Sequence, residues 1–193
     1  MSRIVAAIAN EAPRADAIIV SDYAKGVVTE VVADAAMAAA AKNGIPIMAD
    51  VKPSHIEYFR GASYISPNRK EAHEYLGLNQ HLQGGYSMEE LATRLRSTFD
   101  VGVFLTLSDA GMYILTARTN GLHVPQCHRV EVADTSGCGD TAAVALTLAK
   151  LVGTTDQEAA EVGNAAGAVI ASKIGAVALN QAELIEALSQ VYQ

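Results

Sequence analysis

Residues 15–50 read as strand, helix and strand with almost no chain to spare between them. "ADAIIVSD" (15–22) is a short apolar run rich in branched residues. Thr29 stands where a helix N-cap belongs, ahead of "EVVADAAMAAAAKN", and Gly44 stands at the left-handed position that ends such a helix. "IPIMAD" (45–50) follows at once as the next strand. A helix between two strands returns the chain to the end from which it started, so the two strands must run parallel. A parallel sheet needs cover on both faces, which commits the chain to an α/β architecture.

The rest of the chain continues in that sense. "ASYISPN" (62–68) predicts a third strand, ended by Pro67. Ser87 and Glu90 have capping-box spacing and open a helix through "SMEELATRLRSTF". "VGVFLTL" and "GMYILTA" are apolar and β-rich, and "SDAG" joins them as a hairpin turn. "GLHVPQCHRVEVAD" reads as edge strands and loops. Beyond Asp134 the chain turns helical. "DTAAVALTLAKLV" is apolar nearly all round and is expected to be buried. Thr155 with Glu158, and Asn180 with Glu183, open two further helices. Residues 1–193 therefore read as one three-layer α/β domain with a mostly parallel central sheet. The chain opens on a helix directly ahead of what should be a central strand, which suggests that earlier sequence is absent.

Charge and cysteine content exclude several functions. The net charge is −7 with no basic run, and only 5% of residues are aromatic, with no Trp. That argues against nucleic acid and anionic membranes as partners. No apolar run approaches the ~18 residues of a membrane span. Two cysteines, Cys127 and Cys138, give no disulfide framework, so a reducing cytoplasm is the expected location. "HVPQCH" offers His123, Cys127 and His128 but no fourth ligand at zinc spacing, so no metal site is expected there. His55, His73 and His81 form no motif and are expected on the surface.

The chemistry concentrates in "DTSGCGDTAA" (134–143). Gly137 and Gly139 allow a tight turn and close approach of a ligand to the backbone. The amides at 137–140 would point from a helix start, where the macrodipole favours anions. Asp140 at the same place should remain ionised, beside an anion hole. Such a carboxylate could take a proton from a hydroxyl while the hole stabilises a transferring phosphoryl group. The alternative is that Asp140 merely caps the helix. "GCGDTA" also fits the G-x-G-x-x-A dinucleotide pattern, but too late in the chain and without the strand that pattern requires. A Walker A loop is excluded, because no Gly-Lys-Ser/Thr follows.

"DTSGCGD" resembles the C-terminal signature D-T-x-G-A-G-D of the ribokinase-like (PfkB) carbohydrate kinases, with Cys138 in place of the usual alanine. Other segments match in order. "SPNRKE" (66–71) resembles the family's N-x-x-E segment through Asn68 and Glu71. "LTLSDAG" (105–111) resembles its nucleotide-binding hairpin, and "NAAGAV" (164–169) the helix that closes its adenine pocket. "SDYAKG" (21–26) and "DVKP" (50–53) are most similar to the kinases of heptose 7-phosphate that feed ADP-heptose synthesis. Val51 and Pro53 depart from that subgroup, which usually has Pro and Gly there. The resemblance covers nearly all of this chain but only the second half of a family member. The half with the glycine-pair signature, the sugar contacts and the β-sheet lid is expected to be missing, leaving self-association or pairing with that half open.

The resemblance implies ATP- and Mg²⁺-dependent phosphorylation of a sugar or sugar phosphate. Asp140 becomes the general base, and the amides of Gly137, Cys138 and Gly139 become the anion hole. Asn68 and Glu71 help place Mg²⁺ and phosphates, Glu71 through water, although "SPNRKE" alone also reads as a turn and a helix start. Lys52 follows a strand end and is either a phosphate contact or a solvated loop lysine. Asp22 and Lys25 sit in a loop that faces the transfer site in the subgroup. Thr106, Ser108 and Gly111 lie on the hairpin beside ribose and phosphates, unless they serve only the turn. Asn164 and Ala168 share one helix face, where Gly163 and Gly167 make the helix thin enough for a purine or a neighbouring helix. A nucleotide-binding or assembly module without catalysis is the competing reading.

Overall fold

The computed structural model describes residues 2–79, 85–126 and 130–191. Six strands form one sheet in chain order: β1 (Ile18–Ser21), β2 (Ile47–Asp50), β3 (Tyr64–Ile65), β4 (Gly102–Thr106), β5 (Met112–Leu115) and β6 (Leu122–Val124). β1 to β4 are parallel, and β4, β5 and β6 pair antiparallel through the predicted hairpin.

Helix α1 (Ser2–Glu11) precedes β1, α2 (Glu30–Asn43) joins β1 to β2, and α3 (Arg69–Tyr75) and α4 (Met88–Phe99) join β3 to β4. Parallel strands laid down in sequential order, with right-handed crossovers, place all these connections on one face. The other face is left to α5 (Cys138–Leu151) and α6 (Asp156–Ala171), with α7 (Gln181–Val191) against α6. Strand alternation splits the core accordingly. In β4, Val103 and Leu105 pack toward α2–α4, while Phe104 packs toward α5 and α6. In β2, Ile47 and Ala49 divide from Met48 in the same way.

The helix boundaries follow their local signals. Gly44 ends α2 at φ 64°. Capping boxes form at Ser87–Glu90 and Thr155–Glu158, and the same reciprocal pair of bonds joins Asn180 to Glu183. No helix among the described residues is long and apolar enough to cross a membrane.

Three expectations are corrected. β1 is the edge strand of the described sheet, not a central one. α5 is not buried all round: Val144 is exposed and Leu148 is 57% exposed, on the side that also shows Ile19 of β1. His73 is buried, its Nδ1 hydrogen-bonded to Arg69 O at 2.7 Å and its ring edge-on to Tyr86. His81, Cys127 and His128 lie outside the described residues.

Candidate functional site

The carboxyl ends of β1, β2 and β4, and the chain just beyond β3, open on one side of the sheet, where open α/β folds bind ligands. The N-terminus of α5 points into the same space, giving a cavity of about 680 Å³. Twelve of the fourteen candidate residues line it. Asp22, Lys52, Asn68 and Glu71 come from the strand ends and the start of α3. Thr106, Ser108 and Gly111 come from the hairpin, Cys138, Gly139 and Asp140 from α5, and Asn164 and Ala168 from α6. Gly137 and Lys25 are not among the lining residues. Gly137 instead makes the turn into α5 at φ 78°, and Lys25 is exposed on the 22–28 loop.

Asp140 is the third residue of α5, and Gly137 holds the cap position. The Asp140 side chain does not cap its own helix. Oδ1 accepts a hydrogen bond from Ser21 Oγ at 2.7 Å, and Oδ2 accepts one from the Tyr23 phenol. Of the three proposed anion-hole amides, that of Cys138 already donates to Thr135 O at 3.3 Å. The amides of Gly139 and Asp140 lie in the first turn, which has no intrahelical acceptors for them. A Cβ at Gly139 would meet nothing within 4 Å, so this glycine leaves open space for a ligand. Asp134 fixes the approach: Oδ1 accepts from Ser136 N and Oγ, and Oδ2 accepts from Gly175 N at 3.0 Å. These donors hold the Asp134 carboxyl below the usual carboxylate range.

Asn68 and Glu71 form a capping box at the start of α3, so the helix-start reading of "SPNRKE" holds alongside the pocket placement. Glu71 Oε2 accepts from Asn68 N, while Oε1 pairs with Lys52 Nζ at 2.7 Å. That hydrogen bond raises the Lys52 ammonium pKa above its ordinary value. Asp50, at the end of β2, has its carboxyl pushed up to about 6 by burial and by the nearby charges of Glu71 and Asp140. Among the described residues no group of three His, Cys, Asp or Glu could hold a metal ion.

The opposite wall is built for close approach. Gly163 and Gly167 on α6 face α5, where a Cβ at 163 would lie 3.4 Å from Ala142 O and one at 167 would lie 3.7 Å from Cys138 O. Asn164 Nδ2 donates to Val124 O at 3.2 Å, tying α6 to the end of β6. Gln126 Nε2 donates to Asn164 O, and Gln126 Oε1 is the one buried side-chain polar atom without a partner among the described residues. Gly111 has φ 91°, and a Cβ there would fall 2.2 Å from Val124 O, so only glycine fits. Ser108 is at φ 55° in the same turn.

Sequence reasoning missed Ser21, Tyr23, Asp50, His55 and Gln126. His55 is not a surface histidine: its Nδ1 lies 2.7 Å from Asp22 Oδ2, and the Asp22 side chain is only 2% exposed. Asp22 Oδ1 also accepts from Ala24 N, so both oxygens are engaged within the protein. Ser21 and Tyr23 did carry a signal, since they flank Asp22 in "SDYAKG".

A three-layer α/β fold with a carboxylate and helix-start amides at the strand ends has the arrangement in which open α/β sheets bind ligands. Residues 6–183 match the family model described as pfkB family carbohydrate kinase, and the chain belongs to that family. The Bifunctional protein HldE of Azorhizobium caulinodans is 36% identical over 177 residues, covering 92% of this chain and 36% of that protein. The D-beta-D-heptose 7-phosphate kinase of Bordetella bronchiseptica is 35% identical over 182 residues, covering 94% of this chain and 56% of that protein. The chain thus spans between a third and just over half the length of these curated relatives. Phosphofructokinase-2 from Escherichia coli, in complex with potassium, superposes with TM-score 0.80 at 16% identity, over 98% of this chain and 62% of that one. Ribokinase of Arabidopsis thaliana, complexed with ribose and ATP, superposes with TM-score 0.78 at 18% identity, over 93% and 57%. These structural matches establish the ribokinase-like fold.

Proposed function

We propose that this chain carries the nucleotide-binding and proton-accepting part of an ATP-dependent sugar kinase, with a heptose 7-phosphate as its acceptor. The observation that supports this best is the placement of Asp140. Its carboxylate stands in a cavity of about 680 Å³, at a helix start whose glycine leaves the backbone open. In this reading Asp140 takes the proton of the acceptor hydroxyl as that oxygen bonds to the γ-phosphorus and ADP departs. The Gly139 and Asp140 amides stabilise charge on the transferring group. The purine lies against the small-residue face of α6 at Ala168, and the hairpin at Thr106, Ser108 and Gly111 borders the ribose and phosphates. Lys52 turns from Glu71 toward a phosphate. The heptose assignment rests on the relatives at about 35% identity and on "SDYAKG".

The residues present fit Mg²⁺ held mostly by phosphates and water. Asn68 and Glu71 are hard oxygen donors at the cavity wall, and no all-protein cage exists among the described residues. When bound with ATP, Mg²⁺ supplies charge neutralisation of the phosphates.

A second reading, a nucleotide-binding or assembly module, is favoured by one observation. The β1 edge is unpaired in the described sheet, with Ile19, Val144 and Leu148 exposed beside it. Such an edge invites self-association or pairing with another segment. We infer that sugar phosphorylation by this chain is inefficient unless it pairs with the part of the relatives' sequence that has no counterpart here. Lost acceptor positioning alone can remove ~7–11 kcal/mol of rate acceleration.

The test is ATP consumption with heptose 7-phosphate, ribose and fructose, by the chain alone and with that complementing segment. Turnover should rise on complementation and fall by ~10²-fold or more in Asp140→Asn, at little cost to ATP affinity. Wild-type turnover by Asp140→Asn would remove Asp140 as the base. ATP binding without turnover in any form would favour the module.

A further inference from the structure

We propose that Ser21 and Tyr23 are positioning residues that hold the Asp140 carboxylate, and that the pair of buried Asp22 with half-buried His55 holds Tyr23 in place. The inference rests on the reading of Asp140 as the base, but its geometry is independent of any ligand.

A carboxylate on a long helix can rotate about its own side-chain bonds. Here each oxygen has one fixed donor, Ser21 Oγ on Oδ1 at 2.7 Å and the Tyr23 hydroxyl on Oδ2. Two donors set the plane of the group, and one lone pair on each oxygen remains for an incoming hydroxyl. Ser21 is the last residue of β1 and shares the α5 side of that strand with Ile19, so its position is fixed by the sheet.

Tyr23 has no such support from its own side chain, because it is 59% exposed and water competes for its hydroxyl. Its backbone is fixed instead from both neighbours. Asp22 N donates to Asp50 O at 2.9 Å. Asp22 Oδ1 accepts from Ala24 N at 2.9 Å, which holds Ala24 in a left-handed conformation, φ 53°, that alanine disfavours. Asp22 Oδ2 meets His55 Nδ1, and a carboxylate can only accept, so this nitrogen carries the proton. His55 is anchored in turn by its backbone bond to Lys52 O at 2.9 Å and by stacking on Tyr58, with ring centroids 5.4 Å apart. The sequence thus converts the Asp22–His55 pair, 33 residues apart, into the placement of an exposed phenol.

The phenol's environment agrees. Its pKa is raised above the ordinary value first by the hydrogen bond to Asp140, then by burial and by the Asp140 charge. Ser21 opposes the shift, and Asp50 on β2 adds to it. Lys52, beyond β2, is the cation whose charge couples to Tyr23.

The test labels the whole chain with tyrosine carrying ¹³C at Cζ, and identifies the Tyr23 signal by its loss in Tyr23→Phe. In the wild type Tyr23 should titrate above an ordinary phenol. Asp140→Asn should return it to the ordinary range. His55→Ala should move it the same way, and His55→Gln, which keeps a donor for Asp22, should restore it at least in part. A second label on aspartate Cγ should show the Asp140 signal shifted in both Ser21→Ala and Tyr23→Phe. A Tyr23 signal unchanged by Asp140→Asn would overturn the clamp. A signal changed by Asp140→Asn but not by His55→Ala would overturn the His55 part. Titration of the same wild-type sample with ATP and Mg²⁺ separates the two readings. A chain that fails to bind ATP refutes the proposed function, whereas an ATP-binding chain with an unperturbed Tyr23 refutes only this inference.

Discussion

Asp50→Asn should make this protein more stable at neutral pH, and the gain should vanish in acid. Asp50 sits half-buried at the end of β2, facing the charges of Glu71, Asp140 and Asp22, with Lys52 as the compensating cation. Burial comes first among the causes that raise its carboxyl from the ordinary 3.8 to about 6. The folded state therefore binds this proton more tightly than the unfolded chain. Between pH 4 and pH 6 the folded state carries more protons, so stability falls as pH rises through that window. Above pH 7 the full cost applies. A shift of roughly two pH units corresponds to about 3 kcal/mol. Asparagine keeps the size and removes the charge, so urea unfolding at pH 8 should show the variant up to about 3 kcal/mol more stable. In a protein of this size that is a rise of ~6–12 °C in melting temperature. At pH 4 most of the difference should be gone, and below about pH 3 the two proteins should unfold together. No gain at pH 8, or an equal gain at pH 4, would refute the argument. Carboxylates shifted in this way cluster at functional sites, where stability is traded for chemistry.

Asp156→Ala should cost ~3–5 kcal/mol at neutral pH, because it strands Lys150, whose side chain is 6% exposed, without the partner 2.6 Å away. Burial opposes the ionised form of Asp156, but Lys150 and the hydroxyls of Thr116 and Thr119 outweigh it and hold the carboxyl below its usual range. This contribution is present above about pH 4 and is lost as pH falls through the depressed value, so the deficit in urea midpoint should shrink in acid. Gly111→Ala should lower stability by at least about 2 kcal/mol, since its Cβ would overlap Val124 O and the backbone is left-handed. An unchanged unfolding midpoint would mean that the hairpin and β6 can separate there.

What the sequence disclosed was local or repeated. Capping boxes and the left-handed Gly44 depend on residues within one turn of each other, so Ser87, Thr155 and Asn180 could be read directly. The parallel sheet followed from one strand–helix–strand unit. The pocket residues on α5, α6 and the hairpin were found because their segments resemble a family in order. Contacts made only by the tertiary fold were not legible. Ser21 and Tyr23 reach Asp140 across 119 and 117 residues, and His55 reaches Asp22 across 33. Lone histidines give no periodic signal, which is why His55 and His73 were placed on the surface. α5 read as buried because apolar residues ring it, yet no described element covers Val144 and Leu148.

The central claim, that the cavity at the strand ends is a nucleotide site, is tested most directly by thermal unfolding of this chain against increasing ATP with Mg²⁺. At ~100 times the dissociation constant the folded state should gain ~2.7 kcal/mol, which raises the melting temperature by ~5–11 °C. A folded sample whose melting temperature does not move with ATP or ADP would contradict the account.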